Sequence, residues 1–148
     1  MQKVLVIHGP NLNLLGERET GIYGETTLEE INNSMISLAR KHGVEIRIFQ
    51  SNCEGEIINI LHREGRESDC IIINPAAYTH YSIAIRDAVK CINVPVIEVH
   101  LSNIYSREDF RHVSVVAPVA AGQISGFGSL SYRLAVYAAI DMIKQKSS

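Results

Sequence analysis

Short apolar runs, too brief for helices, recur along this chain with helical patterns between them. The first is Val4-Leu5-Val6-Ile7, and the clearest is Cys70-Ile71-Ile72-Ile73. Neither alternates apolar with polar residues, so strands made from them must be covered on both faces. Residues 44–49 and 95–99 read as two further strands, and 113–116 as a fifth. A helix opens at Thr26-Thr27-Leu28-Glu29, which has the capping-box spacing. Leu28, Ile31, Met35, Leu38 and Ala39 then share one helical face, and Gly43 ends the pattern. Ile57, Ile58 and Leu61 mark a second helix that stops near Gly65. Residues 82–89 read as a third, and 129–146 as a long last helix with Leu130, Leu134, Tyr137 and Ala138 as its stripe. Parallel strands need a crossover between them, usually a helix. Such alternation therefore specifies an α/β domain with a parallel sheet and helices on both of its faces.

Five strands in a chain of this size match the flavodoxin-like doubly wound class. No repeat, linker or low-complexity tract interrupts the pattern, so residues 1–148 are expected to form one domain. The formal net charge is −2 and no basic run exceeds Lys144-Gln145-Lys146, which argues against a nucleic-acid partner. No apolar run approaches a membrane span or a signal peptide, so no membrane partner is expected. Cys53, Cys70 and Cys91 lie far apart without a C-x-x-C pair. That spacing predicts free thiols of core or near-core type in a reducing cytoplasm, and no structural zinc.

The loops after residues 7, 73 and 99 open at the carboxyl edge of the expected sheet, where open α/β sheets bind ligands. They hold the chain's densest polar residues. Past the first strand, Gly16-Glu17-Arg18-Glu19-Thr20-Gly21-Ile22-Tyr23-Gly24 joins an arginine and a phenol on a glycine-bounded segment that reads as a lid. A free phenol holds its proton to a pKa of roughly 10, so ionising one near neutrality costs about 4 kcal/mol. A guanidinium nearby lowers that cost and makes tyrosine a usable base. The second loop runs Asn74-Pro75-Ala76-Ala77-Tyr78-Thr79-His80-Tyr81-Ser82, with Asn74 at the strand end and Ser82 as an N-cap. In the third, Glu98 and His100 are two apart on a strand and share one face. A carboxylate beside an imidazole orients the ring for acid–base work. The segment from Ser102 through Phe110 reads as a short helix, and the free backbone N–H groups at its start suit a carboxylate.

Other chemistries fit poorly. Gly16 and Gly21 have the P-loop spacing, but Ile22-Tyr23 stand where Lys and Ser/Thr are required. Gly126-Phe127-Gly128-Ser129-Leu130-Ser131 is not G-x-G-x-x-G, and Ser125 lies outside any G-x-S-x-G elbow. His8, His80 and His100 lack metal-ligand spacing. The rival reading from another class is a flavodoxin-like module that binds a flavin or nucleotide without catalysis.

At these loops the chain resembles the type II 3-dehydroquinate dehydratases. The matching segments are Gly9-Pro10-Asn11-Leu12-Asn13-Leu14-Leu15-Gly16, Arg18 with Tyr23-Gly24, and Gln50-Ser51-Asn52 with Glu54-Gly55. They continue through Asn74-Pro75, Tyr78-Thr79-His80, Ala84-Ile85-Arg86-Asp87 and Glu98-Val99-His100-Leu101-Ser102-Asn103. Arg107-Glu108, Phe110-Arg111 and Gly122-Gln123-Ile124 complete the match, which spans essentially the whole chain. The resemblance implies dehydration of 3-dehydroquinate to 3-dehydroshikimate by anti elimination through an enolate, with no metal or organic cofactor. It implies Tyr23 as base, Arg18 as its cationic partner, Asn11 holding a water at the enolate oxygen, and His100 as acid, oriented by Glu98. Asn74 and the backbone N–H groups of Leu101 and Ser102 would hold the substrate carboxylate. His80, Arg111 and Asp87 would contact ring hydroxyls, Asp87 from a neighbouring subunit of a dodecamer built as four trimers. Four positions depart from the expected pattern. His8 stands for asparagine, Thr20 for proline, Cys53 for histidine and Ala76 for glycine.

Overall fold

A computed structural model describes residues 1–147 of the chain. Five strands form one parallel sheet in the order β2-β1-β3-β4-β5: β1 (Gln2–His8), β2 (Val44–Gln50), β3 (Cys70–Asn74), β4 (Val96–His100) and β5 (Gly122–Ser125). The helices are α1 (Thr20–Tyr23), α2 (Leu28–Lys41), α3 (Glu54–Gly65), α4 (Ile83–Lys90) and α5 (Leu130–Ser147). This is the flavodoxin-like arrangement, with the chain reversing its winding between β1 and β3.

Period-two alternation divides each central strand between two cores. Val4, Val6, Cys70, Ile72, Ile97 and Val99 pack beneath α2 and α5. Leu5, Ile7, Ile71, Ile73 and Val96 pack beneath α3 and α4. From Val4 in β1 and Cys70 in β3, nothing polar interrupts either strand until its last residue, His8 and Asn74, which lie opposite each other in register. These two continue the α2/α5 face, whereas Glu98 and His100 continue the face of Val96, toward α3 and α4. The same alternation that buries the sheet thus aims its polar strand ends.

Local signals set the helix ends. The Thr27 hydroxyl accepts from the Glu30 N–H and caps α2, and the chain leaves that helix through Gly43 at φ +70°. The Ser82 hydroxyl accepts from the Ile85 N–H and caps α4. Such caps are each worth about 1 kcal/mol.

Four expectations need correction. Residues 113–116 form no strand. Val116 is buried in the α3/α4 core, and the Val115 N–H donates to the Thr79 carbonyl at 2.8 Å. The β-branched run is explained by burial there, while the true fifth strand, β5, has one large apolar residue, Ile124, and no hydrophobic run to betray it. Along α5 the buried face is Tyr132, Ala135, Val136, Ala139, Ile140 and Ile143, not the stripe of larger residues, and Leu130 and Tyr137 are exposed. Small residues let this helix approach the sheet closely. Cys70 is buried, but Cys53 and Cys91 are exposed. The short helix after Ser102 is broken into two 3-10 turns, Ile104–Ser106 and Asp109–Arg111, the first capped by the Asn103 side chain. Among the described residues, no helix is long and apolar enough to cross a membrane.

Candidate active site

At the carboxyl ends of β1, β3 and β4 a cavity opens between the first loop, the lid and the loop after β4. Its floor is set where β1 and β3 diverge. The Gly9 N–H donates to the Asn74 carbonyl at 2.8 Å, and a Cβ at Gly9 would fall 2.7 Å from Pro75 backbone atoms. Only glycine allows that approach. Leu12 and Leu15 are buried and pin the loop into the α2/α5 core. Asn11 between these anchors takes a left-handed conformation, φ +69°, which asparagine tolerates better than most residues. Its N–H donates to Asn52 Oδ1 at 3.0 Å, and Gln50 Nε2 donates to the Gly9 carbonyl at 3.2 Å. The loop is thereby tied to the end of β2.

On the β4 side, His100 Nε2 lies 2.5 Å from a Glu98 carboxylate oxygen. Glu98 is fully buried, and three further donor contacts hold it. Thr79 Oγ1 donates to one oxygen, and Ser114 Oγ lies 2.8 and 2.9 Å from the two. Burial pushes the Glu98 pKa up, but the His100 bond and charge, then Thr79 and Ser114, outweigh it and hold the carboxyl below its ordinary range. With Nε2 engaged, Nδ1 is the His100 nitrogen available for proton transfer.

The lid carries Arg18 and, on α1, Tyr23. Arg18 pairs with Glu19, and its guanidinium carbon stands 5.8 Å from the Tyr23 ring centroid. The contact with the phenol oxygen comes from elsewhere. Arg107 Nη1 donates to Tyr23 Oη at 2.9 Å, and its guanidinium lies 5.3 Å from the ring centroid. Arg107 Nε is buried and unpaired. The His80 ring, in the same lining, contacts the Val113 carbonyl through Nδ1 at 2.8 Å, which leaves Nε2 as its free nitrogen. Burial lowers the His80 pKa, partly offset by that bond, with His100 and Arg111 lowering it further. Arg111 is braced by Glu108 at 2.5 Å.

A protein-family model described as "Dehydroquinase class II" matches residues 2–140. The chain belongs to the class II dehydroquinase family. The 3-dehydroquinate dehydratase of Pelotomaculum thermopropionicum is 60% identical over 137 residues, 93% of this chain and 95% of that one. The one from Trichodesmium erythraeum is 56% identical over 143 residues, 97% and 95% respectively. The crystal structure of type II dehydroquinase from Butyrivibrio crossotus superposes with a TM-score of 0.91 at 46% identity, covering 93% of this chain and 97% of that one. The type II dehydroquinase from Propionibacterium acnes gives 0.92 at 40%, covering 95% and 97%.

Of the residues nominated by the dehydroquinase resemblance, Asn11, Arg18, Tyr23, Asn74, His80, His100, Leu101, Ser102 and Arg111 all line this one cavity. Glu98 stands behind His100, out of the lining. Asp87 does not reach the cavity of its own chain. It sits on the outer side of α4, 65% exposed, with Arg86 at 3.8 Å. The sequence reading assigned no role to Arg107, Ser114 or Thr79. Arg107 and Tyr23 are 84 positions apart, and nothing in either segment announces their contact. Ser114 lay hidden inside the run read as a strand.

Proposed function

We propose that the chain is a hydro-lyase of the shikimate route, which leads to chorismate and the aromatic amino acids, acting in the cytoplasm on 3-dehydroquinate. The observation that carries this is a phenol and an imidazole lining one cavity, each with its own charged partner. Tyr23, as phenolate, takes a proton from the carbon beside the ketone, and the C–H electrons form the enolate. Arg107 donates to the oxygen that must carry the negative charge, and Arg18 adds positive charge over the ring. Asn11 holds a water at the enolate oxygen. As the enolate collapses, a carbon–carbon double bond forms, the carbon–hydroxyl bond breaks, and His100 gives the departing hydroxyl its proton.

The remaining groups bind and orient. Asn74 and the backbone N–H groups of Leu101 and Ser102 take the carboxylate, while His80 and Arg111 take ring hydroxyls. A base and an acid carried by different elements, Tyr23 on α1 and His100 on β4, suit anti elimination, because proton and hydroxyl leave from opposite faces of the ring. Both proton transfers are made by side chains, so the chemistry calls for no cofactor. The functional unit is a homo-oligomer, for which the family resemblance suggests a dodecamer of four trimers. Asp87 completes each cavity from a neighbouring chain. Its surroundings support this, since Ile83, one turn before it on α4, exposes large apolar surface, as does Tyr81 just ahead of the helix.

The test is the appearance of conjugated-enone absorbance when 3-dehydroquinate is added. Tyr23→Phe keeps the ring and loses the base, so it should lower kcat by at least about 10³-fold, within the range removal of a general base produces. Substrate affinity, measured by calorimetry on that variant, should stay within about threefold. Near-normal turnover by Tyr23→Phe would remove the assigned base.

A further inference from the structure

Behind Asn74 lies a set of buried polar groups that the elimination does not use. His8 and Tyr132 are fully buried and Asn74 is 3% exposed. Asn74 Nδ2 lies 2.8 Å from Tyr132 Oη, Tyr132 Oη lies 3.1 Å from His8 Nδ1, and His8 Nε2 lies 2.8 Å from Asn32 Oδ1. The four groups come from β3, α5, β1 and α2, and strand alternation turns both His8 and Asn74 toward the helices that carry the other two.

Two groups, one at each end, set the direction of the chain. The Ala76 N–H faces Asn74 Oδ1 at 3.0 Å, and a backbone N–H can only donate. The amide orientation is thereby set, and Nδ2 must donate to Tyr132 Oη. At the far end Asn32 presents Oδ1, which can only accept, so the neutral His8 ring carries its proton on Nε2 and Nδ1 is bare. The Tyr132 phenol, which accepts from Asn74, donates its single proton to that bare nitrogen. With both end amides so oriented and the imidazole neutral, every hydrogen bond of the chain runs one way.

We propose that Tyr132 and His8 are positioning residues for Asn74, holding its amide by a one-way chain of hydrogen bonds that ends on Asn32. The inference rests on the reading of Asn74 as a carboxylate ligand. Asn74 Nδ2 has two hydrogens, and the chain engages one. The other is left for the substrate carboxylate in the cavity. Tyr132 thus controls which way the ligand-binding hydrogen points without touching substrate. Burial lowers the His8 pKa to about 4, opposed by the Asn32 bond, which keeps the ring in the neutral form the chain requires.

Magic-angle-spinning ¹⁵N spectra of ¹⁵N-histidine-labelled protein test the chain directly, with the His8 signals assigned by their loss in His8→Asn. The expected result is a protonated Nε2 and an unprotonated Nδ1 whose shift moves in Tyr132→Phe. A protonated Nδ1 overturns the proposal. In kinetics, Tyr132→Phe should raise KM for 3-dehydroquinate about tenfold while kcat changes less than about threefold. His8→Leu should do likewise, and His8→Asn, which keeps an acceptor near the Nδ1 position, should stay within about threefold of wild type. In a double-mutant cycle Tyr132→Phe should add little to Asn74→Ala. Full additivity, or an unchanged KM in Tyr132→Phe, overturns the positioning role. An unchanged KM in Asn74→Ala would instead sink the carboxylate reading, and the spectra would still decide the chain.

Discussion

At the scale of single residues, His8 ties the site to the acid limit of the fold. Its pKa is held near 4 by burial, opposed by the bond to Asn32, whereas an unfolded chain leaves the ring at its ordinary 6.5. Between those values the unfolded state binds more protons than the folded one, so stability rises with pH. Acidification therefore removes stability across that window, and near pH 4.5 the loss from His8 alone is about 2.5 kcal/mol. Two other groups bear on the same range. His80, also lowered, adds to the loss, while the lowered Glu98 contributes stability that disappears below its ordinary pKa. Comparison with His8→Asn isolates the His8 share. Urea unfolding at one protein concentration, at neutral pH and near pH 4.5, should show the variant losing about 2 kcal/mol less than wild type. Equal losses would mean that His8 is not the buried neutral base described.

At the scale of elements, legibility followed burial on two faces. β1 and β3 announce themselves by unbroken apolar runs, and β4 by the aliphatic residues around Glu98, because both sides of the sheet are covered, and α2 and α4 announce themselves by their caps. β5 is an edge strand with half-exposed residues, so its sequence carries no comparable signal. The site divides in the same way. Tyr23, Asn74, Glu98 and His100 were readable because they stand at strand ends or on glycine-bounded turns, whose positions the pattern fixes. The contacts of Arg107 with Tyr23, Ser114 with Glu98 and Tyr132 with Asn74 join distant elements and leave no periodic trace. Ala76 sits between these cases. The sequence marks it as a departure from glycine, and the structure gives the reason: its φ of +53° lies in the left-handed region. That conformation costs an L-residue about 1–2 kcal/mol, against which glycine loses about 0.4–1 kcal/mol through its freer unfolded chain. Ala76→Gly should thus stabilise the protein by about 0.5–1 kcal/mol and raise Tm by about 2–3 °C in a thermal melt. The bond from its N–H to Asn74 survives, so KM should not change. A lower Tm would show that the turn is not strained at Ala76.

For the whole molecule, the decisive residue is the one that the chain's own cavity does not contain. Asp87 is 65% exposed on the outer side of α4, so a role at the active site requires a second chain to bring it there. A closed, symmetric oligomer can do this for every subunit at once. The arrangement makes a prediction that mixing can decide. Tyr23→Phe chains lack the base but carry a sound Asp87, and Asp87→Ala chains have the reverse. If Asp87 acts in trans, co-refolding equal amounts should produce cavities in which both residues are intact. With random assembly these are about a quarter of all cavities, and enone formation should recover in proportion. If Asp87 acted on its own cavity, or if the chains stayed monomeric, every cavity in the mixture would lack one group and activity would stay at the level of the variants. Light scattering on the same samples reports whether mixed assemblies form. Asp87→Ala alone must also be impaired, since near-normal turnover in that variant would already remove its role. Recovery only after co-refolding, and not after brief mixing of preformed samples, would place the complete active site between subunits.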